Sequence, residues 1–203
     1  MRVVEVQGND PEKIASALFS AGVCKVQSFI DEPTANALRE EARALLNASA
    51  FTAARMGRGA SITSEAALRG DQTLWLDDPR CTVGPAFLAE LNALSQHLRM
   101  YLRMPIQGVE AHYAHYPPGG RYIRHRDRMQ SDSARMVSWV TYLNAGWQPE
   151  HGGLLRLYDA AEHSVDIAPT FGTSVCFLSD MEHEVLPAYH PRLSIAGWMR
   201  RLD

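Results

Sequence analysis

The chain has 203 residues, 46% of them hydrophobic and 21% charged, which is length and apolar material enough for one domain with a buried core. Twenty Lys and Arg against 23 Asp and Glu give a formal net charge of −3, so no overall basic field exists to recruit nucleic acid. No stretch is apolar for long enough to span a bilayer and no apolar signal segment opens the chain, so the expectation is a soluble, cytoplasmic protein without a membrane partner.

In chain order, helical spacing comes first. Segments 11–21, 33–48 and 84–102 are predicted helices. In the second, Ala35, Leu38, Ala42 and Leu45 recur on one face, with Asp31 and Glu32 placed as N-terminal cap and dipole partner. In the third, Phe87, Leu91, Leu94, Leu98 and Leu102 form a stripe that packs on a sheet. Between them, residues 51–71 are rich in Gly, Ala, Ser, Thr and Arg without a period and read as a mobile loop.

The pattern changes near Gly108. Segments 109–116, 121–127, 134–143, 153–158, 164–167, 173–178 and 192–199 read as short strands separated by Gly, Pro, Asn and Asp turns. Many short strands of this kind form a sandwich or barrel. No repeat, low-complexity run or linker interrupts the chain, so residues 1–203 are expected to form one domain, a helical part (1–107) supporting a β core (108–203). Cys24, Cys81 and Cys176 are odd in number and lack C-x-x-C spacing, as expected of reduced thiols.

The chemistry concentrates at His125-Arg126-Asp127. On a strand, side chains two apart share a face, so His125 and Asp127 are expected to enter one cavity, with His183 brought in from beyond segment 173–178. Two imidazoles and a carboxylate make a facial triad suited to non-haem Fe(II), with positions left open for a co-substrate and O2. Arg192 offers a planar fork for the far carboxylate of an organic acid held at the metal. His112 and His115, three apart on a strand, face opposite ways and cannot share a metal. His97, His151, His163 and His190 read as surface or packing residues. Ligand identity alone leaves a catalytic zinc open.

Further residues carry a family resemblance. Tyr116-Pro117, Tyr122-x-Arg124-His125-x-Asp127, Tyr142-Leu143-Asn144-x-x-Trp147, Gly152-Gly153-x-Leu155-Arg156, Phe177-x-Ser179-Asp180, His183-Glu184-Val185-x-Pro187-Ala188-Tyr189-x-x-Arg192 and Trp198 follow one another in register. From about Ala111 to Trp198 this series resembles the catalytic domain of the oxygen-sensing prolyl hydroxylases, which are Fe(II)- and 2-oxoglutarate-dependent dioxygenases. Upstream, Arg69-Gly70-Asp71-x-x-x-Trp75 resembles a family segment whose Asp holds the iron-bound water.

The resemblance implies an α+β, mainly β fold, a double-stranded β-helix or jelly roll with supporting N-terminal helices. It implies iron ligands His125, Asp127 and His183, and 2-oxoglutarate held by Arg192, with Tyr142 donating to its C5 carboxylate and Tyr116 nearby. Asp71 would hold a metal-bound water, while Tyr122 and Trp198 would line the substrate side. The pairing of Arg192 with Tyr142 is one that a hydrolytic zinc site does not require. Residues 51–71 would then be a lid, and the substrate a prolyl residue in an exposed loop of a cytosolic protein. The alternatives are hydroxylation of a free amino acid or small metabolite, and a non-catalytic jelly-roll binding protein. Thr141, where the family has an aromatic residue, leaves substrate identity open.

Overall fold

The computed structural model describes residues 1–54, 68–128 and 134–201. Three helices, α1 (Pro11–Ala21), α2 (Glu32–Asn47) and α3 (Gly84–Leu102), precede most of the sheet residues. Each helix starts for a local reason. Asp10 caps α1 by accepting from Lys13 N, and Asp31 caps α2 by accepting from Thr34 N at 2.9 Å. α3 has no side-chain cap of its own at Val83. Its N-terminal N–H groups instead reach across to Glu41 on α2, at 2.6 Å from Val83 N and 2.9 Å from Gly84 N, while Tyr113 donates to the same carboxylate at 2.7 Å. Burial opposes ionisation of Glu41, but these donors hold its carboxyl below the usual range.

The strands are β1 (Val4–Gln7), β2 (Val23–Gln27), β3 (Thr52–Ala53), β4 (Gln72–Trp75), β5 (Gly108–Tyr116), β6 (Tyr122–His125), β7 (Arg135–Tyr142), β8 (Leu155–Tyr158), β9 (Ser164–Ile167), β10 (Thr173–Leu178), β11 (His183–Val185) and β12 (Arg192–Arg200). They form an eight-stranded sheet, ordered β1-β2-β10-β7-β12-β5-β4-β3, and a four-stranded sheet, ordered β6-β11-β8-β9. The result is a mainly β jelly roll with helices on the outer face of the large sheet.

Strand alternation divides the side chains between the two faces. On β12, Leu193, Ile195 and Met199 join the core shared with α1, α2 and α3. The alternate residues Arg192, Ser194, Ala196 and Trp198 line a cavity on the other face. β5 divides likewise, with Ala111 and Tyr113 in the core and His112, Ala114 and Tyr116 on the cavity.

The part before Gly108 is less helical than expected. β1, β2 and β4 lie there, and β1 and β2 extend the large sheet beside β10. Val4–Gln7 and Val23–Gln27 are four and five residues long, too short to establish a period by themselves. Their pairing is settled by contacts distant in the chain, such as Cys24 opposite Cys176. All three cysteines are free and buried. Of the expected loop, Phe51 is in the core, β3 pairs with β4, and Ala54 N bonds Asp71 O at 3.0 Å; residues 55–67, where the rest of the expected lid falls, lie outside the described residues. Among the described residues no helix is long and apolar enough to cross a membrane.

Candidate active site

The cavity between the two sheets collects most of the residues expected to act. His125 ends β6 and His183 begins β11, and these two residues are direct antiparallel partners. Cross-strand register therefore juxtaposes the two imidazoles, with ring centroids 4.2 Å apart. Asp127 lies beyond the end of β6 in a bend rather than on the strand as expected, because the backbone there leaves the small sheet and Arg128 N bonds Ser179 O at 2.8 Å. Its carboxylate still reaches the pair. Oδ1 is 3.7 Å from His125 Nε2 and Oδ2 is 3.5 Å from His183 Nε2. Among the described residues this is the one cluster of three such groups able to hold a metal ion.

The donor chemistry fits a divalent metal. Each imidazole places Nδ1 against the carbonyl two residues back, His125 at 2.7 Å from Ile123 O and His183 at 3.1 Å from Met181 O. A carbonyl accepts only, so each ring, when neutral, carries its proton on Nδ1 and turns its Nε2 lone pair toward Asp127. Burial, reinforced by the neighbouring His125, lowers His183 to about 4, leaving it neutral and able to ligate at neutral pH. Burial opposes ionisation of Asp127, but in acid, where the imidazoles take up protons, the positive charge of His183 and His125 with that of Arg135 holds its carboxyl well below the ordinary range.

Arg192 lies at the inner end of the cavity and is 2% exposed. Its Nε donates to Gly153 O at 2.9 Å and its Nη1 to Ser194 Oγ at 3.2 Å. The guanidinium sits 5.0 Å from the Tyr116 ring centroid and 5.1 Å from that of Tyr142. No carboxylate of the described residues pairs with it. The Tyr142 hydroxyl is likewise buried without a hydrogen-bond partner, and burial pushes it up to about 12 against the pull of Arg192. A buried unpaired cation beside a buried unpaired hydroxyl suits an anionic ligand carrying several acceptors. Tyr116 lines the cavity directly, whereas Tyr142 touches it through Arg192.

Asp71 also faces the cavity, but both its oxygens accept from Arg69, at 2.6 and 2.9 Å. Arg69 in turn lies 4.8 Å from the Tyr122 ring, which stacks on His125 with centroids 3.6 Å apart. Trp198 lines the cavity under Arg135 and buries an Nε1 that has no partner among the described residues. Sequence reasoning missed three contributors: Arg69, His112 between Trp75 and Trp198, and Ser138, whose hydroxyl is 2.6 Å from Asp127 Oδ2. The cavity-facing alternation of β5 and β7 could have found the last two. Around the ligand residues, Arg124 and Arg126 pair with Glu182, and Arg135 pairs with Glu110. His115 faces away from His112, as expected, toward Gln72.

Comparison with known proteins agrees with this geometry. Residues 111–200 match the family described as the 2OG-Fe(II) oxygenase superfamily. A Pseudomonas putida prolyl-4-hydroxylase structure is 35% identical, with 96% of this chain and 100% of that one covered and a TM-score of 0.86. A Trichoplax adhaerens prolyl hydroxylase, solved with a hypoxia inducible factor oxygen degradation domain peptide fragment, is 28% identical over 94% of this chain and 90% of that one, with a TM-score of 0.84. At 24% identity, a Phytophthora capsici prolyl 4-hydroxylase shares the fold, with a TM-score of 0.73 over 94% of this chain and 62% of that one. The His-Asp-His cluster and the anion-ready arginine thus occur in a chain whose full-length likeness is to enzymes of one kind, and the protein belongs to the 2OG-Fe(II) oxygenase superfamily as a dioxygenase of prolyl hydroxylase type that works with Fe(II), 2-oxoglutarate and O2.

Proposed function

We propose that this enzyme hydroxylates a prolyl residue in an exposed loop of a cytosolic protein, releasing succinate and CO2. His125, Asp127 and His183 would hold the iron, Arg192 with Tyr142 and Tyr116 would hold 2-oxoglutarate, Asp71, fixed by Arg69, would support a water on the metal, and Tyr122 and Trp198 would face the substrate. The observation that carries this reading is the convergence of the two bare Nε2 atoms and the Asp127 carboxylate in one cavity with an unpaired Arg192.

Iron with 2-oxoglutarate and O2 supplies oxidative decarboxylation of the co-substrate and the oxygen inserted into the substrate C–H bond. The protein supplies placement. His125 and His183 present neutral donors, and Asp127 offsets part of the metal charge. Arg192, oriented by Gly153 O and Ser194 Oγ, grips the far carboxylate, and the Tyr142 hydroxyl donates to it. Leu155, Phe177 and Val185 form an apolar wall that keeps water away.

A peptide substrate is supported by a second cavity of about 500 Å³, which adjoins the first through Arg69, His112 and Trp198 and extends past Ala53, Thr73 and Trp75. The peptide bound by the Trichoplax relative points the same way. Proline fits because its ring fixes the direction of its C–H bonds, and an exposed loop can enter without unfolding its parent. Lysate incubated with the enzyme, or with Asp127→Ala, followed by peptide mass spectrometry, decides the substrate. Oxygen gained at a proline only with the active enzyme supports this reading; oxidation confined to a free metabolite transfers it to a small-molecule hydroxylase.

A further inference from the structure

Ser138 is 2% exposed on the cavity face of β7. Its hydroxyl lies 2.6 Å from Asp127 Oδ2 and 2.9 Å from Ser179 Oγ. Ser179 is fully buried just past β10, where its N–H donates to Met136 O at 3.1 Å and its carbonyl accepts from Arg128 N at 2.8 Å. The two serines therefore tie the bend carrying Asp127 to the edge of the large sheet.

A hydroxyl has one proton to give, and a metal-ligating carboxylate can only accept. Ser138 must then donate to Asp127, and with its proton spent it can only accept from Ser179. The direction of the chain Ser179 to Ser138 to Asp127 is fixed. Each Asp127 oxygen also faces one imidazole, Oδ1 lying 3.7 Å from His125 Nε2 and Oδ2 3.5 Å from His183 Nε2, with Arg135 Nη1 3.9 Å from Oδ1.

We propose that Ser138, backed by Ser179, is a positioning residue that holds the Asp127 carboxylate in the orientation that aims it at the two imidazoles. Without that bond the carboxylate could turn away from the two Nε2 atoms, and metal affinity would fall. This rests on the reading of His125, Asp127 and His183 as the iron ligands.

The test uses Co(II) added to the metal-free protein without co-substrate, read by its visible ligand-field spectrum and by competition titration. Ser138→Thr and Ser138→Val have the same shape and differ by the hydroxyl. The Thr variant should match the wild type, whereas the Val variant should bind roughly 10- to 100-fold more weakly with an altered spectrum, the usual effect of losing a ligand's supporting bond. Ser179→Ala should move both readouts the same way by less. Should Ser138→Val fail to fold, Ser138→Ala takes its place under the same criteria. Equal affinity and an identical spectrum in the hydroxyl-bearing and hydroxyl-free variants would overturn the proposal. If Asp127→Ala binds Co(II) as tightly as the wild type, the ligand assignment fails instead.

Discussion

Replacing Arg192 with Lys keeps a positive charge and removes the fork, so it isolates what geometry contributes to co-substrate binding. Of the five guanidinium N–H groups, two are committed to Gly153 O and Ser194 Oγ, which leaves three, enough for a two-bond grip on a carboxylate. A hydrogen bond to a charged group contributes about 1.5–3 kcal/mol. A lysine that keeps one such bond and loses the other should therefore raise the apparent 2-oxoglutarate constant roughly 10- to 150-fold, at about 1.4 kcal/mol per tenfold. Arg192→Ala should exceed that range. Succinate release against 2-oxoglutarate concentration gives the constant, and circular dichroism with a thermal melt confirms that each variant folds, since both leave Gly153 O without its donor. Constants for folded Lys and Ala variants that stay within about threefold of wild type, a difference below ~1 kcal/mol, would refute the assignment.

The supports of this arginine are open to the same assay: Gly153 has φ +62° and an added Cβ would lie 3.0 Å from Arg192 Cδ, so Gly153→Ala should raise the 2-oxoglutarate constant, and an unchanged constant would show that Arg192 is not held by this turn. Glu41→Ala removes the cap that α2 lends to α3, and should cost about 1–2 kcal/mol, or a Tm lower by roughly 2–8 °C; an unshifted melt would contradict the capping role. Burial lowers His112 and His183 to about 4 from an ordinary 6.5. Above pH 6.5 both are neutral whether folded or unfolded, while below it the unfolded chain takes up protons that the fold refuses. Stability of the metal-free protein should thus fall between about pH 6.5 and 4, by up to ~3 kcal/mol per histidine. Urea unfolding across that window should show the loss, with a shallower slope for His112→Gln; a flat profile would contradict it.

The sequence disclosed the parts of the fold whose residues repeat locally. The stripes Ala35-Leu38-Ala42 and Phe87-Leu91-Leu94-Leu98 are buried helix faces as their spacing implied, and the seven strands expected from Gly108 onward each fall within a residue or two of the observed bounds. What stayed hidden depends on partners distant in the chain. Strand β11 has three residues and acquires its register from β6 and β8, so its existence could not be read from His183-Glu184-Val185 alone. The Glu41 cap joins residues more than forty positions apart. At the site, His125, Asp127, His183 and Arg192 were legible because their chemistry is unusual in combination. Ser138 and Arg69 were not, since a serine on a strand or an arginine near an aspartate is common, and only the folded geometry places the one on Asp127 and the other on Asp71 and Tyr122.

The central claim, that one cavity holds Fe(II) through His125, Asp127 and His183 and 2-oxoglutarate through Arg192, is tested most directly by anaerobic spectroscopy. Fe(II) and then 2-oxoglutarate are added to the metal-free enzyme without O2, and the visible spectrum is followed for the charge-transfer band of an iron-chelated keto acid. The account predicts that the band saturates at one equivalent of metal, vanishes in Asp127→Ala, needs much more 2-oxoglutarate in Arg192→Lys, and decays with succinate formation when air is admitted. A band of full intensity in Asp127→Ala, or its absence from a folded wild-type protein supplied with both, would contradict it.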